Sequence, residues 1–292
     1  MPYADSDGVS LYYEEIGKGT PIVFVHEFAD DLHSWEPQLR FFSRRYRCIA
    51  FNARGYPPSD VPKSYKQYSQ QLAADDIAAV MRHLKLRKAH IIGCSMGGYA
   101  TVHFGLRYAR MATSLTAIGV GYGSDADKRS QFLDDTEVMA RRFQDLGTPE
   151  AIKPYQIGPA RIQFQNKDPL GFAKFCEEFA KHSALGSANT LRGVQARRPT
   201  IQSLESGLSK MKVPLHMVSG DEDNNCLEPS VFIKRACPSA WLTVMPNTGH
   251  AVNLEEPDLF NRLTAEFLAQ VESGRWRPRD PRARNKSTMA KR

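Results

Sequence analysis

Apolar and polar positions along the first 120 residues switch between two periods. Short apolar runs at 11–16, 21–26, 46–51, 89–94 and 115–120 have the near-continuous hydrophobicity of strands. Between them lie segments of helical period at 35–43, 67–84 and 96–108. In the second of these Leu72, Ile77, Val80, Met81 and Leu84 recur near helical spacing. Such alternation predicts an α/β fold, a mostly parallel central sheet with helices on both faces. From Gly121 to Met211 the alternation stops. This stretch is more polar and reads as helices at 127–146, 169–182 and 184–196, broken by Gly and Pro, with no strand-like run. Strands resume at Val213, with a last one at 241–245 and a closing helix at 257–271. That helix has Pro257 suited to its first turn and Leu259, Leu263, Phe267 and Val271 on one stripe. The predicted organisation is therefore a core at 1–120, a helical insertion at 121–211, a second core part at 212–273 and a tail at 274–292.

Candidate chemistry sits where strands end. The run Ile91-Ile92 leads into Gly93-Cys94-Ser95-Met96-Gly97, with a helical segment after it. Gly-x-Ser-x-Gly in the order strand, turn, helix is the setting of a nucleophile elbow, in which serine stands at the tip of a tight turn. A serine hydroxyl is inert at neutral pH unless a base takes its proton, so a histidine must accompany it. His83 and His103 fall in helical patterns, His90 and His216 in strand runs, and His33 and His182 lack a supporting neighbourhood. His250 follows Asn247-Thr248-Gly249 after the last strand, which makes it the candidate base. Asp221 and Asp223, just after the run 215–218, both qualify by location as the acid that orients it. Cys94 precedes the elbow tip and is expected to point into the fold.

The order Ser, acid, His is that of the α/β-hydrolase triad, and from about residue 11 to 271 the chain resembles the α/β-hydrolase fold superfamily. Within it the chain is similar to small, lidded bacterial hydrolases of the esterase, enol-lactonase and cofactor-free haloperoxidase type. The resemblance implies that Ser95 is the nucleophile, His250 the base and Asp223 the acid, three residues past the strand-ending Gly220. Branches that take the acid one strand earlier would use Asp125 or Asp127. It also implies that the insertion is a lid, and that the backbone N–H groups of Phe28 and Met96 form the oxyanion hole. One departure stands out. In His26-Glu27-Phe28, Glu27 replaces the family's usual glycine, setting a carboxylate beside a developing negative charge unless it is paired or turned away. Glu27, Trp35 and Tyr99 are the substrate-side candidates. The lid aromatics Phe132, Phe143, Phe164 and Phe172 could line a pocket, and Arg141, Arg142, Arg192, Arg197 and Arg198 could favour an anionic substrate. His26-Glu27 does not begin a His-Glu-x-x-His zinc motif, because position 30 is Asp30 and the segment follows a strand.

Composition narrows the picture a little further. With 41% hydrophobic and 24% charged residues in 292, the chain can bury an extensive core. Five cysteines without metal-type spacing and a polar N-terminal segment suggest a reduced, cytoplasmic protein, and no apolar run suits a membrane span. The net charge of +7 lies in the tail, where eight basic residues face Asp280 alone. The tail is expected to be disordered, so the charge argues little for nucleic acid as a partner. The expectation is a cofactor-free serine hydrolase acting on a small carboxylic ester or lactone. Carbon–carbon bond hydrolysis, perhydrolase or haloperoxidase chemistry on the same triad, and a non-turnover ligand receptor are the alternatives. Oligomeric state is left open.

Overall fold

The structure, a computed structural model, describes residues 2–284 and 289. Eight strands form one sheet in the order β1-β2-β4-β3-β5-β6-β7-β8. They are β1 (Tyr3–Ser6), β2 (Val9–Ile16), β3 (Thr20–Val25), β4 (Tyr46–Phe51), β5 (Ala89–Cys94), β6 (Ala112–Ile118), β7 (Leu215–Gly220) and β8 (Ala240–Met245). Only β1 and β2 run antiparallel to their neighbours; β4, β3 and β5 to β8 are parallel.

The period-2 geometry of the strands builds two cores. Val23, Val25, Ile49, Phe51, Ile91, Leu115, Ala117 and Met217 point to one face, against α2 (Gln70–His83) and α3 (Met96–Arg107). Their sequence neighbours Ile22, Phe24, Cys48, Ala50, Ile92, Cys94, Ile118 and Val218 point to the other face. There they meet α1 (Glu36–Phe42) and α13 (Pro257–Glu272) through Phe42, Phe260, Phe267 and Leu268. Both faces are covered, which is why the strands read as unbroken apolar runs. Each large side chain so buried contributes about 1.5–3 kcal/mol.

The chain leaves β3 for β4 on one side and returns to β5 on the other, so β3 and β5 flank the point where strand order reverses. At such a point the loops beyond the strands part and leave a crevice. Over it lies the segment between β6 and β7. It holds α4 (Arg129–Leu146), α5 (Thr148–Ala151), α6 (Lys153–Gln156), α7 (Ile162–Lys167), α8 (Pro169–Ala180) and α9 (Ala184–Thr190), continuing as a π-helical turn to Gln195. The starts of α8 and α9 are fixed locally. Asp168 accepts from Gly171 N–H and Ser183 from Gly186 N–H. Phe143, Phe164, Phe172, Phe175 and Phe179 of this segment share a third core with Phe28, Met96 and Ala251 from the loops at the sheet's carboxyl edge. Those contacts make the segment a cap. Ile201, Leu208 and Met211 pack instead into the first sheet core, so α10 (Glu205–Lys210) belongs to the sheet side. Helical period in the sequence did not reveal α5, α6, α7, α10, α11 (Leu227–Ala236) or the single turn α12 (Val252–Glu255), most of which are too short to show one.

Where the basic tail begins, Trp276 is half-buried against the second core and Arg279 N–H donates to the Pro238 carbonyl. Residues 285–288 and 290–292 lie outside the described residues. No described helix is long and apolar enough to cross a membrane.

Candidate active site

Ser95 connects β5 to α3 with φ 51° and ψ −111°, a left-handed conformation that a side-chain-bearing residue adopts only under local constraint. The constraint is visible. Its N–H donates to the Ile118 carbonyl of β6 at 2.8 Å, and its carbonyl accepts from Tyr99 N–H at 2.9 Å. Gly93 and Gly97 must be glycine for steric reasons: a Cβ on Gly97 would run into the Val25 carbonyl, and one on Gly93 into the Gly97 carbonyl. Cys94 points down into the second core, and burial pushes its thiol pKa well up.

One residue past Ile118, Gly119 locates the histidine. A side chain there would lie 3.0 Å from His250 Cε1 and 3.4 Å from Asp223 Oδ2, so the imidazole and the carboxylate both rest on this backbone at the end of β6. His250 Nδ1 donates to Asp223 Oδ2 at 2.6 Å. An ionised carboxylate can only accept, so Nδ1 carries the proton and Nε2 is left as the acceptor. Burial resists charge on both groups, and each partner offsets that resistance in the other. Asp223 lies below the usual carboxylate range and His250 above the usual imidazole value. The backbone of the histidine loop is clamped as well. The Gly249 and Ala251 N–H groups donate to Glu255 at 2.7 and 3.0 Å, and the His250 N–H donates to the cap carbonyl of Ala160 at 3.2 Å. Of the two acids equal by location, Asp221 is exposed and accepts from Thr248 N–H, so it braces the loop without meeting the imidazole. Asp125 and Asp127 lie between Gly121 and α4, where Asp125 makes a loose pair with Lys128 at 3.8 Å.

Phe28 and Met96, the expected oxyanion donors, are both buried in the third core. Met96 opens α3, where helix N–H groups have no partner within the helix. The Phe28 carbonyl accepts from Tyr56 OH at 2.9 Å, and the Glu27 carbonyl, in the peptide that carries the Phe28 N–H, is held by His26. The preceding His26 is structural. Its Nδ1 donates to the Glu27 carbonyl at 2.6 Å and its Nε2 accepts from Ala53 N–H at 3.0 Å, a neutral ring that ties the β3 loop to the β4 loop.

Glu27 is not turned away; it is paired. Arg161, at the tip of the cap just before α7, donates from Nη1 and Nη2 to its two carboxylate oxygens at 2.8 and 2.6 Å, and both side chains are buried. Glu27 Oε2 lies 3.8 Å from His250 Nε2. Burial would raise the Glu27 pKa, but the guanidinium holds it below the usual range. The neighbouring Asp30 carboxyl is pushed well up by burial and by the charge on Glu27. Arg161 was missed in the sequence. The one available signal was Glu27 itself, a carboxylate that needed a cation.

Other expectations fall elsewhere. Trp35 is wholly buried with its ring 5.1 Å from Phe24, in the second core below the site. Tyr99 hydrogen-bonds Ser124 at 2.7 Å and carries the Arg198 guanidinium 3.9 Å above its ring, within the first core. Phe143, Phe164 and Phe172 share the third core with Phe28 and Met96, whereas Phe132 packs on Tyr122. Among the arginines of the inserted segment, Arg141 and Arg192 pair with Glu137, Arg142 meets backbone carbonyls, and Arg197 covers Tyr65. Cys226, also missed, is buried with its sulfur 4.0 Å from His250 Nδ1.

Ser95 at its strained turn and the His250–Asp223 hydrogen bond both lie beyond the carboxyl ends of strands in one mostly parallel sheet, the layout of the α/β-hydrolase class. The sequence profile of the alpha/beta hydrolase fold family matches residues 20–257, and the chain belongs to that family. Among curated proteins it is 23% identical over 262 residues to 3-oxoadipate enol-lactonase 2 of Acinetobacter baylyi, covering 87% of this chain and 91% of the relative. Among solved structures it is similar to a thermophilic esterase from Thermogutta terrifontis, with TM-score 0.80 and 23% identity over 93% of this chain and 97% of that one. It also resembles Est816, described as an N-acyl homoserine lactone degrading enzyme, with TM-score 0.76 and 25% identity over 91% and 100%.

Proposed function

We propose that the protein is a serine hydrolase that cleaves a small carboxylic ester or lactone through an acyl-enzyme. Ser95 Oγ attacks the carbonyl carbon as His250 Nε2 takes its proton. Asp223 stays ionised and stabilises the imidazolium. The amides of Phe28 and Met96 hold the oxyanion, each such donor being worth about 3 kcal/mol in the transition state. The imidazolium then protonates the leaving alkoxide, which in a lactone stays tethered to the acyl group. Water, deprotonated by His250, releases the acid and restores Ser95. No step calls for a cofactor.

The observation that carries this reading is the strained backbone of Ser95, bonded to the Ile118 carbonyl one residue before Gly119, on which a histidine with its proton on Nδ1 rests. The ester and lactone chemistry named for the relatives supports the substrate class, a small molecule. Glu27, which alone would favour a receptor that binds without turnover, has its charge matched by Arg161.

Hydrolysis of p-nitrophenyl esters from acetyl to octanoyl, and of a set of simple lactones, by wild type and Ser95→Ala tests the proposal. A Ser95-dependent rate with a chain-length optimum is expected. Equal rates for the two proteins would sink it. Labelling of Ser95 by a fluorophosphonate without ester or lactone turnover would move the substrate to the carbon–carbon or perhydrolase chemistries.

A further inference from the structure

The pair Glu27–Arg161 calls for a role other than stability. A buried ion pair gives up hydration on both sides, and apolar residues of similar volume usually serve folding as well or better. This one is a fully buried link between two parts of the molecule, whereas another ion pair between them, Lys167–Glu256, is partly exposed. Glu27 follows β3 at the crevice, and Arg161 is carried by the cap 134 residues later. The cap holds Arg161 firmly. Its guanidinium stacks 5.0 Å from the Phe175 ring and 5.4 Å from the Tyr155 ring, and Nη2 meets Tyr155 OH at 3.2 Å. The residue before it, Ala160, accepts the backbone N–H of His250. One short piece of cap therefore touches the histidine directly and also grips the carboxylate that flanks it.

We propose that Glu27 and Arg161 are positioning residues for the hydrolytic step: the docked cap, through Arg161, holds Glu27 against the Nε2 side of His250 as a second carboxylate opposite Asp223. The inference rests on His250 being the general base. The pair is an oriented dipole whose negative end is toward the imidazole, 3.8 Å away, and whose positive end lies in the cap. When Ser95 gives up its proton, positive charge grows on a ring bounded by carboxylates on both nitrogen sides. Arg161 keeps the second carboxylate from repelling the oxyanion that forms nearby.

The groups facing the ring from each neighbouring element agree with this role. The loop after β7 supplies Asp223 and the thiol of Cys226, whose pKa burial and Asp223 push well up. The loop after β3 supplies Glu27 and Asp30, and burial and the charge on Glu27 push the Asp30 carboxyl well up. The cap supplies Arg161, and Glu255 of α12 is occupied by the flanking backbone. Glu27 raises the basicity of His250 and Arg161 lowers it, which gives the two residues opposite signatures.

The test is the titration of the His250 ring, followed by NMR in protein labelled with ring-13C histidine and assigned by its loss in His250→Gln. It is read beside the acid limb of kcat/KM for p-nitrophenyl acetate. Removing a charge this close is expected to move the midpoint by about one pH unit. The expected order, from highest midpoint to lowest, is Arg161→Met, wild type, the double variant Glu27→Gln/Arg161→Met, then Glu27→Gln. Single variants that shift in the same direction, or not at all, overturn the proposal. If an unpaired buried charge stops a single variant from folding, the double variant decides: a midpoint below wild type supports the dipole, and an equal one overturns it. Because the ring titration needs no turnover, it is repeated in Ser95→Ala protein. Failure of the serine reading then shows in the ester assay, and failure of the dipole in the titration.

Discussion

The carboxyl edge of the sheet and the cap above it make the site by different means. At the edge the candidate residues are held mostly by chain close to them. Ser95 is held by two glycines and the β6 carbonyl, Asp223 by the turn into α11, and His250 by Glu255 on either side of it. The cap contributes through long-range contacts instead, by aromatic packing on Phe28 and Met96 and by one arginine that crosses to Glu27. Thus the same histidine meets one carboxylate fixed by local geometry and another fixed by docking of a distant segment. Chemistry written into turns survives changes elsewhere, whereas chemistry written into a cap contact depends on the cap staying in place.

Substitutions in the two regions should separate them, most strongly at the edge. Ser95→Ala is expected to lower kcat on p-nitrophenyl acetate by about 10^6-fold with its far-UV circular dichroism unchanged. Asp223→Asn should cost about 10^4-fold by leaving the wrong tautomer on His250, while Asp221→Asn stays within a few-fold of wild type. If Asp221→Asn were the more damaging, the assignment of the acid would be wrong.

In the cap the main effect falls on stability. Arg161→Met strands a buried carboxylate and is expected to lower unfolding free energy by about 3–5 kcal/mol in urea, most of which the added Glu27→Gln should restore. A double variant no more stable than the single would mean that the pair is not coupled.

Acid should weaken both regions together. His182 in the cap and His216 in β7 are buried, and burial lowers the pKa of each to about 4. The unfolded chain takes up protons at these positions below about 6.5 and the folded one does not. Stability is therefore full above that pH and lost as it falls toward 4, by up to about 3 kcal/mol for each. Melting temperatures across pH 4–7 for wild type and His182→Phe should show the cap's share removed in the variant. The mildest expectation concerns activity. Since His250 titrates above the ordinary imidazole value, kcat/KM should keep rising with pH beyond about 6.5, and a limb below that value would contradict the flanking carboxylates.

Legibility in the sequence followed the same division. The strands buried on both faces, α2 and α3, and the elbow are visible because their requirements are local and periodic. Leu72 to Leu84 spell a helix, and Gly93 and Gly97 bracket Ser95 for steric reasons. Asp223 could be separated from Asp221 only by resemblance, since both follow β7 and the choice lies in which side chain turns inward. Trp35 and Tyr99 looked like pocket residues because aromatic character does not reveal which face of a layered fold it enters; both went to the cores. Arg161 was out of reach. It sits among the polar short helices of the cap, and only the fold brings it to Glu27.

The most direct test of the central claim is to trap the acyl group. Wild type mixed with p-nitrophenyl acetate, quenched in acid within milliseconds and mapped by peptide mass spectrometry, is expected to carry one acetyl group on the peptide containing Ser95, and Ser95→Ala none. An acetyl group on Cys226 or Cys94 that persists in Ser95→Ala, or turnover by that variant, would contradict the claim that Ser95 is the nucleophile.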